Sequence, residues 1–296
     1  MSLKTYLRRG IGYMLHGQPI VNNQVTAQIV QLSPNNLLEG RTALITGGTS
    51  GIGYEIAKAF IRAGANDVII TGRNSERLNK ACREIQDATS NLPGSIHGIE
   101  MDINNIKDID RMWKEALSCS RNNKIDIVVN NAGVLGSAFG NTTEEDYNMV
   151  MDTNLRGTYF LSQHAAHYMK DNHIMGNILN VASSSSLRPA ASVYTLSKWG
   201  IRGLTMGMAR VLTQHGITVN GIAPGPTATP MLQKERNGDS IFHPKSLTGR
   251  YATPEEIANL AVVLVSDMGK MIVGDIIYAT GGAGVVTNED MNFSFI

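Results

Sequence analysis

A doubly wound α/β domain, one parallel sheet of about seven strands with helices on both faces, is the fold class this sequence predicts from residue 40 onward. Three observations predict it. Short apolar runs rich in β-branched residues alternate with longer amphipathic stretches, which is the pattern of consecutive βαβ units. A glycine-rich turn, ITGGTSGIG (45–53), joins the first apolar run to the first amphipathic stretch. The 296 residues include 42% hydrophobic and only 17% charged side chains, enough to build one large core and too apolar for a disordered chain.

The strands are read from TALIT (42–46), DVIIT (67–71), GSIHGIEM (94–101), IDIVVN (125–130), GNILNV (176–181), GITVNGI (216–222) and GDIIYAT (274–280). Helical spacing fills the intervals, as in IGYEIAKAFIRAG (52–64) and NSERLNKACREIQDAT (74–89). Right-handed crossovers then bring all strand C-termini to one edge, where open α/β sheets bind ligands. Residues 1–39 stand apart as an N-terminal extension. LKTYLRRGIGYML (3–15) is amphipathic at helical spacing, and the stretch after it is polar and irregular. The expectation is that it packs on the domain or on a second subunit; the alternative is a membrane-surface helix over residues 1–15, with Lys4, Arg8 and Arg9 as its only cations.

Net charge is +1, which provides no broad field for nucleic acid or an acidic partner. Cys82 and Cys119 both fall in helical stretches outside any CxxC pair, and two reduced thiols fit a cytoplasmic protein. No run of 18 apolar residues is present, and no apolar core follows the N-terminal arginines as in an export signal. His164, His167 and His173 invite a metal reading, but no Cys or Glu completes a ligand set, so they are read as structural or surface residues and no metal is expected.

The glycine loop carries the first chemistry. Gly47, Gly51 and Gly53, with Thr49, Ser50 and Ile52 between them, follow a strand and open a helix. Glycines let backbone approach a ligand, and the free N–H groups at a helix start favour phosphate. A tight βα turn without a ligand is the bland alternative. At the tip of the second strand, where a nucleotide site often carries an acid for the ribose hydroxyls, the chain reads ITGRN. Arg73 there suits a 2′-phosphate, so NADP(H) is favoured, with NAD(H) as the alternative.

YTLSK (194–198) puts Tyr194 and Lys198 one above the other on a helix face, following the serine run 183–186. A nearby ammonium favours a phenolate, so the pair is a candidate acid–base device with a lowered tyrosine pKa; two residues on a wet helix face are the alternative.

Together TGGTSGIG (46–53), MDI (101–103), NNAG (130–133), NLRG (154–157), the serine at 183, YTLSK and APGPTATPM (223–231) resemble the short-chain dehydrogenase/reductase family, over residues 40 to about 285. The resemblance implies a Rossmann-like fold and an NAD(P)-dependent oxidoreductase acting between a carbonyl and a secondary alcohol. It implies a catalytic set of Asn154, Ser183, Tyr194 and Lys198, with Tyr194 as general acid and base. It also implies that Asp102 and Ile103 border the adenine, that Asn130, Ala132 and Gly133 wall the cleft, and that Pro224, Gly225, Thr227 and Thr229 contact the nicotinamide half and the diphosphate. The interval from Ser183 to Tyr194 is eleven residues, against thirteen in many members, which keeps Ser184 as a competitor. Ser50 stands where many NADP-dependent members carry a base. A homotetramer or homodimer is implied, with a small carbonyl or alcohol substrate. Leu135, Ser185 and Met231 are read as pocket walls, and the segment 231–253 as a lid. A non-catalytic dinucleotide-binding regulator and a nucleotide-sugar-modifying enzyme on the same fold are the alternative functions.

Overall fold

The computed structural model describes residues 36–232 and 240–286. Seven parallel strands form one sheet: β1 (Thr42–Thr46), β2 (Asp67–Gly72), β3 (Ser95–Glu100), β4 (Ile127–Asn130), β5 (Asn177–Val181), β6 (Thr218–Pro224) and β7 (Ile276–Ala279). Their spatial order is β3-β2-β1-β4-β5-β6-β7. All seven coincide with the apolar runs of the sequence. Among the described residues seven α-helices flank the sheet: α1 (Gly51–Arg62), α2 (Ser75–Ala88), α3 (Ile109–Cys119), α4 (Glu144–Met151), α5 (Gly157–Asp171), α6 (Val193–Leu212) and α7 (Pro254–Val265).

A sheet buried on both faces needs strands that are apolar on both faces. β1 meets this fully: all five of its residues are buried. Its side chains alternate, so Ala43 and Ile45 enter one core with Phe60 of α1, Ile85 of α2 and Ile257 of α7. Leu44 enters the other with Met112 and Trp113 of α3 and Leu161 of α5. β2 and β4 split in the same way, Ile70 and Val129 on one side, Ile69 and Val128 on the other.

Helix starts follow local chemistry. Asn74, Thr143, Ser192 and Thr253 each accept a backbone N–H in the first turn of α2, α4, α6 and α7. At α7 the cap is reciprocal, with Glu256 Oε2 accepting from Thr253 N at 2.8 Å and Pro254 at the first helical position. Ser50, before α1, makes no such side-chain bond.

Order reverses between β1 and β4, since successive crossovers run outward from that seam in opposite directions. Such a seam opens a crevice at the strand C-termini. The chain before β1 contributes more than the appendage reading expects: Leu38 is fully buried in the first core, and its N–H donates to Ala63 O at 2.8 Å. Residues 1–35 lie outside the described residues, as do 233–239 of the expected lid. Among the described residues no helix is long and apolar enough to cross a membrane.

Cys82 and Cys119 are free, half-buried thiols, and burial raises the pKa of each. His164 packs its ring 5.0 Å from that of Trp113, and burial lowers its pKa.

Because Leu38 has no solvent exposure, Leu38→Ala should cost about 2–5 kcal/mol of stability. Urea unfolding should show the midpoint falling with the slope unchanged.

Candidate active site

The seam between β1 and β4 is built by a side chain. Asn131 Nδ2 donates to Thr46 O at 2.9 Å and Gly47 O at 3.0 Å, while Thr46 Oγ1 accepts from the N–H groups of Asn131 and Ala132, each at 3.1 Å. The two strand ends are thereby bolted side by side. Gly47 has φ +65°, and a Cβ there would lie 2.9 Å from Ala132 Cα; a Cβ on Gly53 would lie 2.4 Å from Asn131 Nδ2. Only glycine fits either place, for steric reasons that need no ligand.

From this seam a cavity of about 350 Å³ runs along the sheet edge. At one end it is lined by Thr71, Gly72 and Arg73 at the tip of β2 and by Met101, Asp102 and Ile103 after β3. The glycine loop (Gly47, Thr49, Ser50, Gly51, Ile52) forms its middle, with Asn131, Ala132, Gly133 and Val134 opposite. Val181, Ala182, Ser183, Tyr194 and Lys198 line the other end, and Pro224, Gly225, Thr227, Thr229, Pro230 and Met231 close one wall. The sequence reading therefore finds most of the lining, and the tertiary structure adds Asn131, Val134 and Thr153 together with Thr71, Gly72, Met101, Val181, Ala182 and Pro230 beside residues already expected.

Several expected residues sit elsewhere. Asn130 does not wall the cleft: strand alternation turns it inward, where its Nδ2 donates to Ser162 Oγ and Asn180 Oδ1, both at 2.8 Å. Its neighbour Asn131 takes the cleft face. Gly53 is buried behind the loop, and its lack of a side chain makes room for Asn131. Leu135, Ser185 and Asn154 are outside the lining, Asn154 being buried behind it, whereas Met231 is part of it. Among the described lid residues, 240–253 are tied down by Tyr251 N to Ile241 O at 2.8 Å and by Ala252 N to Pro226 O at 2.9 Å.

The reacting groups converge where α6 meets the end of β5. Ser183 and not Ser184 lines the cavity. Ser183 is the N-cap of a short 3₁₀ turn (Ser184–Leu187), and its Oγ accepts from Ser185 N at 3.1 Å. Ser183 and Tyr194 both line this end of the cavity, and the Ser183 side chain draws the phenol's pKa downward. Lys198 Nζ donates to Val181 O at 2.8 Å and lies 5.6 Å from the Tyr194 ring centroid.

Asn154 belongs to a π-helical turn, Asp152–Arg156, between α4 and α5. Such turns carry an extra residue and recur at functional sites. Here the turn aims the Asn154 amide at the loop after β4: Oδ1 accepts from Val134 N at 2.8 Å, and Nδ2 donates to Val134 O and Ser197 Oγ, both at 3.0 Å. Asn154 and Lys198 flank Gly133, since a Cβ on that glycine would lie 3.4 Å from Asn154 Oδ1 and 3.8 Å from Lys198 Nζ.

The electrostatics differ from the sequence expectation. Burial pushes the Tyr194 phenol above its ordinary value, and the Ser183 hydrogen bond pulls against that push. The expected depression by Lys198 is absent because burial disfavours the ammonium as well, lowering Lys198 to about 8. Burial thus favours the neutral form of both groups, and the phenol keeps its proton near neutral pH.

The cleft fits a dinucleotide on its own geometry. The first turn of α1 has no side-chain cap and no acidic residue, which leaves its N–H groups for an anion at the glycine loop. Gly225, in the opposite wall, packs its backbone against the residue after β7, where a Cβ would come 2.7 Å from Thr280 Cα.

Residues 47–284 match the family model described as enoyl-(acyl carrier protein) reductase. The chain is 33% identical to a (2S)-[(R)-hydroxy(phenyl)methyl]succinyl-CoA dehydrogenase subunit of Thauera aromatica, over 83% of this chain and 97% of that one. Among solved structures, a 3-ketoacyl-(acyl-carrier-protein) reductase from Brucella melitensis complexed with NADH superposes with a TM-score of 0.73 at 30% identity, covering 84% of this chain and 100% of the other. A gluconate 5-dehydrogenase from Burkholderia cenocepacia in complex with NADP and tartrate also gives 0.73, at 29% identity, over 84% and 97%.

The low Lys198 value predicts a pH signature. Between about 8 and the ordinary 10.5 the unfolded chain holds a proton that the folded chain does not, so this group adds stability as pH rises through that window. At about 1.4 kcal/mol per pKa unit, wild type should gain on the order of 3 kcal/mol on Lys198→Met between pH 7 and pH 10.5. Parallel urea unfolding of the two proteins across that range measures the difference.

Proposed function

This chain belongs to the short-chain dehydrogenase/reductase family of oxidoreductases, which act on CH–OH and C=O groups, and we propose that it moves a hydride between NADP(H) and a neutral ketone or secondary alcohol with Tyr194 as acid and base. The observation that carries this reading is the convergence of Ser183, Tyr194 and Lys198 at one end of a cleft whose other end holds the glycine loop and Arg73.

The bound nicotinamide would supply or accept the hydride; the chain's own residues handle charge and protons. In reduction Tyr194 donates its phenolic proton to the carbonyl oxygen as negative charge develops there. Ser183 Oγ–H, already fixed by the Ser185 amide, donates a hydrogen bond to the same oxygen. Lys198 Nζ, 5.6 Å from the Tyr194 ring centroid, is the cation beside the phenolate left behind. In alcohol oxidation the phenolate takes the proton back. Asn154 fixes the Val134 backbone and Ser197, and so the walls beside Lys198.

Lys198 and Tyr194 would hold the nicotinamide ribose, Thr227 and Thr229 the diphosphate half, and Asp102 and Ile103 the adenine. Arg73 supports NADP(H) over NAD(H). It lies exposed at the tip of β2, lines the cleft, and no acid stands beside it at that tip. The related structures hold NADH in one case and NADP in the other, so the preference rests on this residue. Substrate neutrality is supported by the reacting end. Of the charged lining residues, Arg73 and Asp102 belong to the β2 and β3 tips, and only Lys198 is near Tyr194, surrounded by Val134, Val181, Ala182 and Met231.

Equilibrium titration with NADPH and NADH at one ionic strength tests the cofactor. NADPH should bind more tightly, and Arg73→Ala should weaken NADPH by about 10- to 100-fold while leaving NADH unchanged, the scale of a charge-assisted phosphate contact. Tighter NADH binding by wild type would sink the assignment.

A panel of β-keto esters, cyclic ketones and 3-oxoacyl thioesters, followed by NADPH oxidation, tests the reaction. Tyr194→Phe should lower kcat by about 10²- to 10⁴-fold with dinucleotide affinity kept. Retained turnover would remove Tyr194 from the chemistry and leave dinucleotide binding without it.

A further inference from the structure

Four consecutive serines, 183–186, follow β5 at the site, but only Ser183 lines the cavity, and the reaction uses its hydroxyl alone. Ser186 is fully buried and makes a connection the reaction scheme leaves unused. Its backbone N–H donates to Ser183 O at 2.9 Å, and its Oγ donates to the same carbonyl at 2.7 Å. A hydroxyl has one proton, and a carbonyl oxygen only accepts. The Ser186 proton is therefore committed to Ser183. The second contact of that hydroxyl, Tyr278 Oη at 3.2 Å, must then run with Tyr278 as donor. Tyr278 belongs to β7, 92 residues further along the chain.

The far end of the serine turn is tied to α6, the helix that carries Tyr194. Trp199 Nε1 donates to Arg188 O at 2.7 Å, and Arg202 Nη1 to Ser186 O at 3.4 Å. A four-residue 3₁₀ turn has few backbone bonds of its own and is held in place by such ties.

We propose that Ser186 and Tyr278 are positioning residues: a hydroxyl chain from β7 through Ser186 to the Ser183 carbonyl fixes the direction in which the Ser183 hydroxyl meets Tyr194. Two bonds from Ser186 converge on one carbonyl and restrict rotation of the peptide that follows Ser183. The Ser185 amide occupies a lone pair of Ser183 Oγ, so the remaining freedom of that hydroxyl is the direction of its proton. Tyr194 faces Ser183 from this turn and Lys198 from its own helix, so loosening Ser183 leaves Lys198 as the tyrosine's charged neighbour.

This inference rests on the acid–base reading of Tyr194, and the test separates the two. Wild type, Ser186→Ala, Tyr278→Phe, the double variant, Ser183→Ala and Tyr194→Phe are assayed on the panel ketone that wild type reduces fastest, with the NADPH dissociation constant measured for each. Ser186→Ala should lower kcat about three- to tenfold and Tyr278→Phe about two- to fourfold, the cost of one hydrogen bond, with NADPH affinity unchanged. Because the two hydroxyls act in one chain, the double variant should match Ser186→Ala and not the product of the singles. In Ser186→Ala the pH at which reduction is lost should move upward, since the Ser183 bond that holds the phenol's pKa down is loosened. A general structural defect would lower kcat without moving that pH.

Full turnover in Ser186→Ala, an unmoved pH limb, or strictly multiplicative singles would overturn the positioning role. If Ser186→Ala does not fold, Tyr278→Phe, which loses one hydroxyl at a partly buried position, carries the test, and unchanged kcat there is equally fatal. Turnover surviving in Tyr194→Phe, or no reduction of any panel ketone by wild type, would fell the reaction reading and this inference together.

Discussion

The Asn131 side chain is the contact on which the site depends. It crosses from the end of β4 to two consecutive carbonyls at the end of β1, and Thr46 Oγ1 returns the connection to the backbone of 131 and 132. Strand order reverses at this seam, so no helix crosses above it and the edge stays open. A seam without a covering helix needs its polar groups satisfied from within, because a buried unpaired amide or carbonyl costs about 1–3 kcal/mol. Asn131 does this with one residue. Its position also dictates Gly47 and Gly53, since side chains there would enter the space Asn131 and Ala132 occupy.

A second polar layer lies beneath. Asn130 joins Ser162 of α5 to Asn180 of β5, and Asn180 donates to Thr205 of α6 at 2.8 Å. Neighbouring asparagines thus serve opposite faces, one bracing the cleft and the other bracing the helices that bring Tyr194 and Lys198 to it. Buried networks of this kind rigidify when their bonds are made. Here that rigidity is passed to α6, whose N-terminal half forms the reacting end.

The site holds two ionisable groups, a buried Lys198 and a partly buried Tyr194, with no carboxylate among the lining residues beside them. Burial raises Tyr194 and lowers Lys198 to about 8, which reverses their order in water: the phenol holds its proton more firmly than the ammonium does. Hydrogen bonds set the balance: Val181 O steadies the ammonium and Ser183 steadies the phenol's oxygen.

The sequence by itself determined the strand and helix order, the glycine loop, Arg73 at the β2 tip and the Tyr194–Lys198 pair, because each depends on periodicity or spacing within a few residues. It could not decide which of Asn130 and Asn131 faces the cleft. Strand alternation guarantees only that they face opposite ways, and the neighbouring strand and helices choose between them. It left Ser183 and Ser184 open for the same reason: a run of like residues has no internal marker, and the 3₁₀ turn that aims Ser183 into the cleft is held by Trp199 and Tyr278. The π-helical turn at Asn154, the burial of Leu38 and the raised Tyr194 pKa were decided by the tertiary structure as well. Each results from contacts between residues distant in the chain, and in the tyrosine's case from loss of water, which exists only once the walls have closed around it.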